Sequence, residues 1–289
     1  MNLAELSRHY ADSIEQGLQR MRYSLRRQGY SHQSEESILN KHIANLLPAN
    51  HSRTAVDIGA GNGVRWSNTY SLFLNGWKGI GIEADPRKFV QLQRSYKNLP
   101  NVVACNQAAD AHNIVPLLKS AEIEHDFSVL SLDIDGNDYW VLRAILREFR
   151  PQLIVTEINE KIPPPLRFLL KETPNPQLRH HFYGYSIAVL EDLCVEFNYG
   201  VLELEYNNAF IAPRELKAAR FAEVKTAYEH GYRDRTDRKQ RFPANLDMEA
   251  LQSLSVEEGL KFLREFYARE DGNYYLAGDP ETLNQQLRS

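Results

Sequence analysis

The chain has 289 residues, of which 43% are hydrophobic and 25% are charged. This length is typical of one large domain or two modest ones, and the composition excludes disorder over the whole chain. The 34 Lys and Arg against 38 Asp and Glu give a net charge of −4, so electrostatics favour neither a nucleic-acid partner nor an anionic membrane. We find no apolar run long enough for a membrane span and no signal peptide, and therefore expect a soluble, cytoplasmic protein.

The two cysteines and nine histidines predict neither a disulfide framework nor a metal site. Cys105 and Cys194 are too far apart in sequence to form a CxxC pair, and neither has a basic neighbour that would lower its pKa. His180 and His181 are adjacent and would point in different directions on a regular element. We therefore expect two reduced core thiols and no bound zinc.

Two helices are predicted at the amino-terminal end of the sequence. Apolar residues recur at steps of three or four from Leu3 to Leu25, and a second helix fits Ser37 to Leu47 before Pro48. We interpret residues 1–50 as a helical cap. The first helix serves either as a cover over a pocket or as an ordinary packed extension or dimer contact.

From Thr54 onward the sequence alternates short apolar runs with segments of helical length. This alternation predicts βαβ units and a parallel sheet with helices on both faces. A helix over Ile187–Asn198 and two further strands over Gly200–Tyr206 and Ala209–Ala212 predict an antiparallel pair at one edge. The five strands predicted before that pair are Thr54–Ile58, Gly79–Glu83, Val102–Cys105, Phe127–Asp133 and Gln152–Glu157.

The last part of the chain, residues 214–289, is predicted to be a helical C-terminal extension. Residues 214–241 are rich in both basic and acidic side chains, which indicates a solvated helix and loop or a patch for an anionic partner. Helical spacing resumes over residues 247–267. Residues 51–213 then form the central, ligand-binding domain of an α/β protein.

A glycine-rich turn after the first strand is the most specific local signal. Residues 56–63 read Val-Asp-Ile-Gly-Ala-Gly-Asn-Gly, and such glycines allow a sharp turn and close approach of backbone to a ligand. Glu83 ends the second strand, where a carboxylate can accept both hydroxyls of a ribose. NAD, FAD and S-adenosylmethionine sites all use such a turn. The GxGxG spacing favours S-adenosylmethionine, and Asp57 can meet the amino group of that cofactor.

These motifs and two later ones resemble those of the class I S-adenosylmethionine-dependent methyltransferases, and within them the FkbM-type group. The later motifs are residues 132–140, Leu-Asp-Ile-Asp-Gly-Asn-Asp-Tyr-Trp, and residues 153–159, Leu-Ile-Val-Thr-Glu-Ile-Asn. The resemblance covers about residues 30–212 and implies a Rossmann-like sheet that binds S-adenosylmethionine. The cofactor contacts that it implies are Asp57, Gly59 and Gly61 for the methionine moiety, Glu83 for the ribose, Gln107 and Ala108 for the adenine edge, and Asn62, Ala84 and Asp133 in addition.

The acidic turn after the fourth strand has three interpretations. Asp133, Asp135 and Asp138 can bind a hard cation such as Mg²⁺. Asp133 and Asn137 can instead orient an amino group of the substrate or of the cofactor. Alternatively, the turn caps the helix that follows it. We assign no metal site, and the choice between the other two interpretations stays open.

The candidate catalytic set adds residues from the same predicted crevice. Glu157 ends the fifth strand there and is, with Asp133, a candidate base. Residues 183–186 and 206–208 add polar and aromatic groups at predicted pocket positions. Aromatic faces attract cations such as a sulfonium, and the candidates for that role are Trp66, Tyr139, Trp140, Tyr183 and Tyr185. The full catalytic set is Asp133, Asn137, Tyr139, Glu157 and Ser186.

Methyl transfer to a hydroxyl or amine of a small metabolite is the default reaction, because the reactive sulfonium belongs to the cofactor. The general plan also resembles the azetidine-2-carboxylate synthases. In that reaction S-adenosylmethionine is the sole substrate, its own amine attacks its γ-carbon, and methylthioadenosine leaves. Asn137, Tyr139 and Ser186 would then hold the folded-back cofactor, and the first helix would exclude water. A non-catalytic cofactor-binding scaffold is the third alternative, and a homodimer stays open.

Overall fold

The computed structural model describes residues 29–173 and 181–288, so the helix predicted from Leu3 to Leu25 lies outside the described residues. The first described helix, α1, spans Glu35–Leu46 and agrees within two residues with the second predicted helix. The elements that follow are, in chain order, β1 (Thr54–Ile58), α2 (Tyr70–Leu74), β2 (Lys78–Glu83), α3 (Pro86–Tyr96), β3 (Val102–Asn106), α4 (Ile114–Ser120), β4 (Val129–Leu132), α5 (Asp138–Glu148), β5 (Leu153–Glu157), β6 (Arg167–Leu170), α6 (Ile187–Glu196), β7 (Tyr199–Glu205) and β8 (Asn208–Pro213).

A seven-stranded sheet in the order β3-β2-β1-β4-β5-β8-β7 forms the centre of the molecule. Strands β1 to β5 pair in parallel, and β8 pairs antiparallel with both β5 and β7. The predicted Rossmann-like sheet with an antiparallel pair at one edge is therefore confirmed. The strand order reverses between β1 and β4, and open sheets of this kind bind ligands at such a reversal, beyond the carboxyl ends of the strands.

The central strands form because their apolar runs are buried on both faces of the sheet. All five residues of β1 and all four of β4 are buried, as expected for parallel strands covered by helices. Alternate residues of these strands join different apolar clusters. One cluster includes α4, α5 and α6, and the other includes α1, α2 and α3. The helices therefore cover both faces, and the ends of the strands are left to form a site.

The C-terminal extension packs against the central domain through a second, two-stranded sheet that the sequence analysis did not predict. Strand β6 pairs antiparallel with β9, which spans Tyr274–Ala277, and both strands share an apolar cluster with the helix Val256–Phe266. The extension is otherwise helical, as predicted. Its helices are, in chain order, α7 (Val224–Tyr228), a π-helix (Glu229–Arg233), α8 (Arg238–Arg241), a 3-10 helix (Pro243–Ser253), α9 (Val256–Phe266), a short 3-10 turn (Ala268–Glu270) and α10 (Pro280–Arg288).

The charged stretch at the start of the extension is paired within the chain. Arg233 contacts Glu229, Arg235 contacts Glu205, and the half-buried pair of Arg238 with Glu249 closes at 2.7 Å. These contacts neutralise much of the positive charge that an anionic partner would need. Among the described residues, no helix combines the length and the hydropathy that a bilayer crossing requires.

Candidate functional site

A cleft of about 640 Å³ lies at the carboxyl ends of the parallel strands. Gly59 follows β1, Glu83 ends β2, Asp133 follows β4 and Glu157 ends β5, and all four line the cleft. These strand ends meet at one edge of the sheet, which is the expected ligand position for this topology. A cavity of this size is typical of sites for drug-sized ligands.

Most of the predicted cofactor residues come together in this cleft. Asn62 is the exception: its Oδ1 accepts hydrogen bonds from the backbone nitrogens of Val64 at 3.0 Å and Arg65 at 2.8 Å. Asn62 therefore stabilises the glycine-rich turn from within. The predicted cofactor residues that line the cleft are Asp57, Gly59, Gly61, Glu83, Ala84, Gln107, Ala108 and Asp133.

The glycine-rich turn needs glycine at Gly59 for steric reasons. Gly59 has φ +87°, and a Cβ added there would lie 1.7 Å from the backbone oxygen of Asp133. The backbone nitrogens of Gly59 and Ala60 each donate to the oxygen of Ile82 at 3.0 Å. Gly61, with φ +57°, faces open space instead. The turn is thus held between β2 and β4, with its Gly61 side left open to a ligand.

Replacing Gly59 by alanine is expected to cost more than about 3 kcal/mol of folding free energy, because the new methyl group overlaps the Asp133 carbonyl. The matched variant Gly61→Ala has the same left-handed backbone but free space, so its cost should be about 1 kcal/mol. Urea denaturation of both variants measures the difference. Equal losses in the two variants would contradict the steric explanation.

Glu83 connects the glycine-rich turn to the start of α3. Its Oε2 accepts from the backbone nitrogen of Gly61 and its Oε1 from that of Asp85, both at 2.8 Å. Only 6% of Glu83 is exposed, so the carboxylate is fixed in place. Each carboxylate oxygen has a second lone pair. Glu83 can therefore accept hydrogen bonds from two ligand hydroxyls without losing its structural contacts.

Asp57 is a buried carboxylate inside β1 that also lines the cleft. Its Oδ2 accepts from the hydroxyls of Thr69 at 2.6 Å and Ser67 at 3.4 Å. Burial raises the pKa of Asp57 to about 6, although these hydrogen bonds oppose the shift. A cationic ligand group beside Asp57 would favour its ionised form.

Three carboxylates form a cluster where β4 and β5 end. One oxygen from each of Asp133, Asp135 and Glu157 lies within 4.8 Å of the other two. Glu157 Oε1 accepts from Asn207 Nδ2 at 2.7 Å, and its Oε2 is buried without a hydrogen-bond partner. This spacing brings negative charges together, and either a proton or a cation relieves the repulsion.

The titration of Asp133 and Glu157 follows from this crowding. Asp133 is exposed along the cleft; partial loss of solvation there, with the Asp138 and Asp135 charges, raises its pKa to about 7. Burial and the Asp133 charge raise the pKa of Glu157 well above its ordinary value. Since two adjacent carboxyls do not both ionise readily, the pair holds one proton near neutral pH.

The turn after β4 also has the structural role that the third interpretation describes. Asp138 accepts hydrogen bonds from the backbone nitrogens of Ile134 and Gly136, both at 2.8 Å. Asn137 lines the cleft, and its side-chain amide exchanges hydrogen bonds with the backbone of Thr173 at 2.7 and 3.3 Å. Asp138 therefore closes the turn, and Asn137 attaches the start of α5 to the segment after β6.

Two residues of the predicted catalytic set, Tyr139 and Ser186, lie in the core and not in the cleft lining. Ser186 is fully buried at the start of α6. Its hydroxyl accepts from Phe168 N at 3.1 Å and donates to Leu166 O at 2.9 Å. Tyr139 packs edge-on against Tyr185, with 5.7 Å between ring centroids. Tyr139 is therefore a packing residue, and the Ser186 hydroxyl makes structural hydrogen bonds.

Of the five predicted aromatic residues, Trp66 is the one that lines the cleft. Trp66 is 54% exposed, and its φ of +63° is unusual for a bulky side chain. The polar groups of three others are bound elsewhere: Trp140 donates to Leu170 O at 2.9 Å, Tyr183 donates to Glu160 at 2.8 Å, and the Tyr185 hydroxyl lies 2.8 Å from Thr156 Oγ1.

The cleft also contains residues that the sequence analysis did not assign to it. His32 and Glu35 come from the segment around the start of α1, and Ser67 and Asn68 follow the glycine-rich turn. Asn207 and Asn208, which the sequence placed near the pocket, line it as well. A polar stretch at residues 28–36 was visible in the sequence. Nothing in its spacing indicated which side chain enters the cleft.

We expect the free energy of unfolding of the ligand-free protein to fall as the pH rises from about 5 to about 8. Asp57 and Asp138, with raised pKa values of about 6, and Asp133, at about 7, hold protons that the unfolded chain has already released. Their contribution is present at low pH and is lost as the pH passes these values. Urea denaturation between about pH 5 and about pH 8 measures this change in the free energy of unfolding. Asp133→Asn should flatten the curve, whereas the exposed Asp126→Asn should not; a curve that rises with pH would contradict the account.

Comparison with known proteins shows a similarity of fold to solved structures. No protein-family profile and no curated protein sequence matches the chain. Among solved structures, the chain is similar to the carbon methyltransferase CurJ (13% identity, TM-score 0.41), covering 63% of this chain and 56% of that one. It is also similar to an O-methyltransferase from Bacillus cereus in complex with SAH (15% identity, TM-score 0.42), covering 64% and 82%. A third is an S-adenosylmethionine-dependent methyltransferase from Clostridium acetobutylicum ATCC 824 (9% identity, TM-score 0.39), covering 62% and 90%. Similarity at this level does not transfer a function, because one fold hosts many activities.

Proposed function

We propose that the protein is a transferase that binds S-adenosylmethionine in the cleft and moves its methyl group to a small molecule. The observation that carries the proposal is the arrangement of Glu83 and Asp57 on either side of the Gly59–Gly61 turn. One fixed carboxylate suits the two hydroxyls of a ribose, and the other suits an ammonium group. The turn between them allows close approach of a ligand.

The remaining cofactor contacts follow from the same edge of the sheet. Gln107 and Ala108 come after β3 and line the cleft beside Glu83, where they suit an adenine edge. When bound, S-adenosylmethionine supplies an electrophilic methyl group on a sulfonium. The residues of this chain supply binding and orientation, which is the usual division of work between a protein and such a reagent.

The carboxyl pair of Asp133 and Glu157 suits the role of base. With one proton on the pair near neutral pH, one carboxylate remains ionised and can accept a proton from the acceptor. Asn207 holds Glu157 in position at 2.7 Å. The pair lies at the ends of adjacent strands, so its geometry is set by the sheet.

Product analysis of the full-length protein tests this proposal. Incubation with S-adenosylmethionine and a panel of small amines and alcohols should release S-adenosylhomocysteine, measured by mass spectrometry. S-Adenosylmethionine alone should stay intact. Methylthioadenosine with azetidine-2-carboxylate from the cofactor alone would overturn methyl transfer in favour of cyclisation. Saturable cofactor binding without any product would favour the non-catalytic scaffold.

Turnover should be unchanged by EDTA, because the Asp133–Glu157 pair relieves its repulsion by holding a proton. The measurement compares initial rates in EDTA with rates in added Mg²⁺. A loss of turnover in EDTA that Mg²⁺ restores would show that the three clustered carboxylates hold a cation instead.

A further inference from the structure

We infer that the methyl acceptor is a cationic amine and that Glu35 is the residue that selects it. This inference rests on the proposed function and concerns the part of the cleft near α1. Glu35 is the first residue of α1, is only 1% exposed, and nevertheless lines the cleft. A buried carboxylate at the wall of a ligand site is costly unless a donor or a cation satisfies it.

The carboxylate of Glu35 accepts hydrogen bonds from the side chains of Asn208 and Ser31 and from backbone nitrogens. Its Oε1 accepts from Asn208 Nδ2 at 3.1 Å and its Oε2 from the backbone nitrogen of Gln33 at 2.6 Å. Burial raises the pKa of Glu35; hydrogen bonds oppose this shift and the nearby Glu205 charge adds to it. Glu205 is itself paired with Arg235 at 3.0 Å, so Glu35 is the carboxylate here that a cationic ligand in the cleft would stabilise.

The turn between β7 and β8 connects Glu35 to the proposed base. Asn208 donates to Glu35, and its neighbour Asn207 donates to Glu157 Oε1 at 2.7 Å. Asn208 also lies opposite Glu157 in the pairing of β5 with β8. Two consecutive asparagines thus fix both carboxylates relative to one another. Both carboxylates line the same cleft.

The described lining of the cleft holds seven carboxylates but only two Lys or Arg side chains. Arg65 follows the glycine-rich turn and Lys88 lies on α3, and the Arg65 guanidinium lies over the Trp66 ring, 4.0 Å from its centroid. His32 lies beside Trp66, and burial with the charges of Arg241 and Arg65 lowers its pKa, which favours its neutral form. Four of the carboxylates lie at the start of α1 and at the ends of β4 and β5, namely Glu35, Asp133, Asp135 and Glu157.

An ammonium group matches these four carboxylates better than the alternatives do. S-Adenosylmethionine carries one net positive charge at neutral pH, and Asp57 is assigned to its ammonium. In the part of the chain that the structure describes, no Lys or Arg forms an ion pair with the cleft-lining carboxylates Glu35, Asp133, Asp135 and Glu157. An ammonium brings a charge and three donors, an alcohol brings one donor and no charge, and an anionic acceptor is repelled. The acceptor is therefore an amine that binds as its conjugate acid.

Methyl transfer to the amine takes place in two steps. The bound ammonium first gives a proton to the ionised carboxylate of the Asp133–Glu157 pair. The lone pair of the neutral amine then forms the new N–C bond to the methyl carbon, and the electrons of the C–S bond go to sulfur. S-Adenosylhomocysteine and a methylated ammonium are the products. The proton on the carboxyl pair leaves to water before the next cycle.

Binding to the full-length protein loaded with S-adenosylhomocysteine tests the acceptor class. The probes are tyramine with 4-hydroxyphenethyl alcohol, and 1,4-diaminobutane with 1,4-butanediol, measured by titration calorimetry. At least one amine should bind saturably, and at least about tenfold more tightly than its alcohol, because a charged hydrogen bond is lost in the alcohol. Alcohols that bind as tightly as the amines, or no saturable binding by either amine, would overturn the inference.

Glu35→Gln tests the selecting residue, with Glu36→Gln as the matched control on the same helical turn. Glu36 contacts the backbone nitrogen of Tyr30, and glutamine keeps that acceptor. Glu35→Gln should weaken amine binding at least about tenfold. If the amine is a substrate, its KM should rise by the same factor while kcat stays nearly unchanged. S-Adenosylhomocysteine affinity should stay unchanged in both variants.

These experiments distinguish failure of the proposed function from failure of the role assigned to Glu35. If S-adenosylhomocysteine does not bind the wild-type protein, the proposed function fails. If it binds but Glu35→Gln leaves amine affinity unchanged, or weakens S-adenosylhomocysteine and amine equally, the selecting role of Glu35 fails while the proposed function stands.

Discussion

Replacing Glu83 by alanine is expected to weaken S-adenosylmethionine binding by about a hundredfold or more. The change removes two acceptors for the ribose, each worth about 1.5–3 kcal/mol as a charged hydrogen bond, and 1.4 kcal/mol is about a tenfold change in affinity. It also releases the backbone nitrogens of Gly61 and Asp85 from the carboxylate. Titration calorimetry measures the affinity.

The matched control is Glu124→Ala. Glu124 lies at the opposite end of the sheet, where it accepts from Thr54 at 2.9 Å and pairs with Lys78 at the start of β2. This variant perturbs the same strand without touching the cleft, so its affinity for S-adenosylmethionine should equal that of the wild type. A folded Glu83→Ala protein, checked by circular dichroism, with wild-type affinity would contradict the role assigned to Glu83.

Asp133→Asn is expected to lower kcat by about 10²–10⁴-fold, which is the usual contribution of a positioned acid–base group. Asparagine cannot take the proton, and it leaves the hydrogen bond from Asn207 to Glu157 in place, so folding should be retained. The rate of S-adenosylhomocysteine release at saturating acceptor measures the effect. Asp126→Asn, an exposed change away from the cleft, is the control.

The pH dependence of the wild-type rate belongs to the same prediction. Because the pKa of Asp133 is raised to about 7, protonation below that pH leaves the pair without an ionised carboxylate. The rate should therefore fall as the pH drops through about 7 and reach a plateau above it. A wild-type rate that does not change across this range, or an Asp133→Asn enzyme with full kcat, would contradict a base at this position.

The sheet could be predicted from the sequence because its strands are buried on both faces. The apolar runs of β1, β2, β4 and β5 stand out from their polar surroundings, and each predicted strand lies within two residues of the observed one. Strands β6 and β9 could not be predicted in the same way. Each has four residues, and they pair over a sequence separation that local periodicity does not report.

The site could be predicted where it depends on strand ends. Glu83, Asp133 and Glu157 each stand at the end of a parallel strand, so topology alone brings them to one edge. Glu35 reaches the cleft because α1 packs beside the β7–β8 turn, and that contact spans 173 positions of sequence between Glu35 and Asn208. Tyr139 was placed in the site from its neighbours in sequence, but its direction on α5 turns it into the core.

Titration of the full-length protein with S-adenosylmethionine, and separately with NAD, tests the central claim most directly. One equivalent of S-adenosylmethionine should bind saturably, Glu83→Ala should weaken that binding about a hundredfold or more, and NAD should not bind. Absence of S-adenosylmethionine binding by folded wild-type protein, or saturable binding of NAD in its place, would contradict the assignment of the cleft.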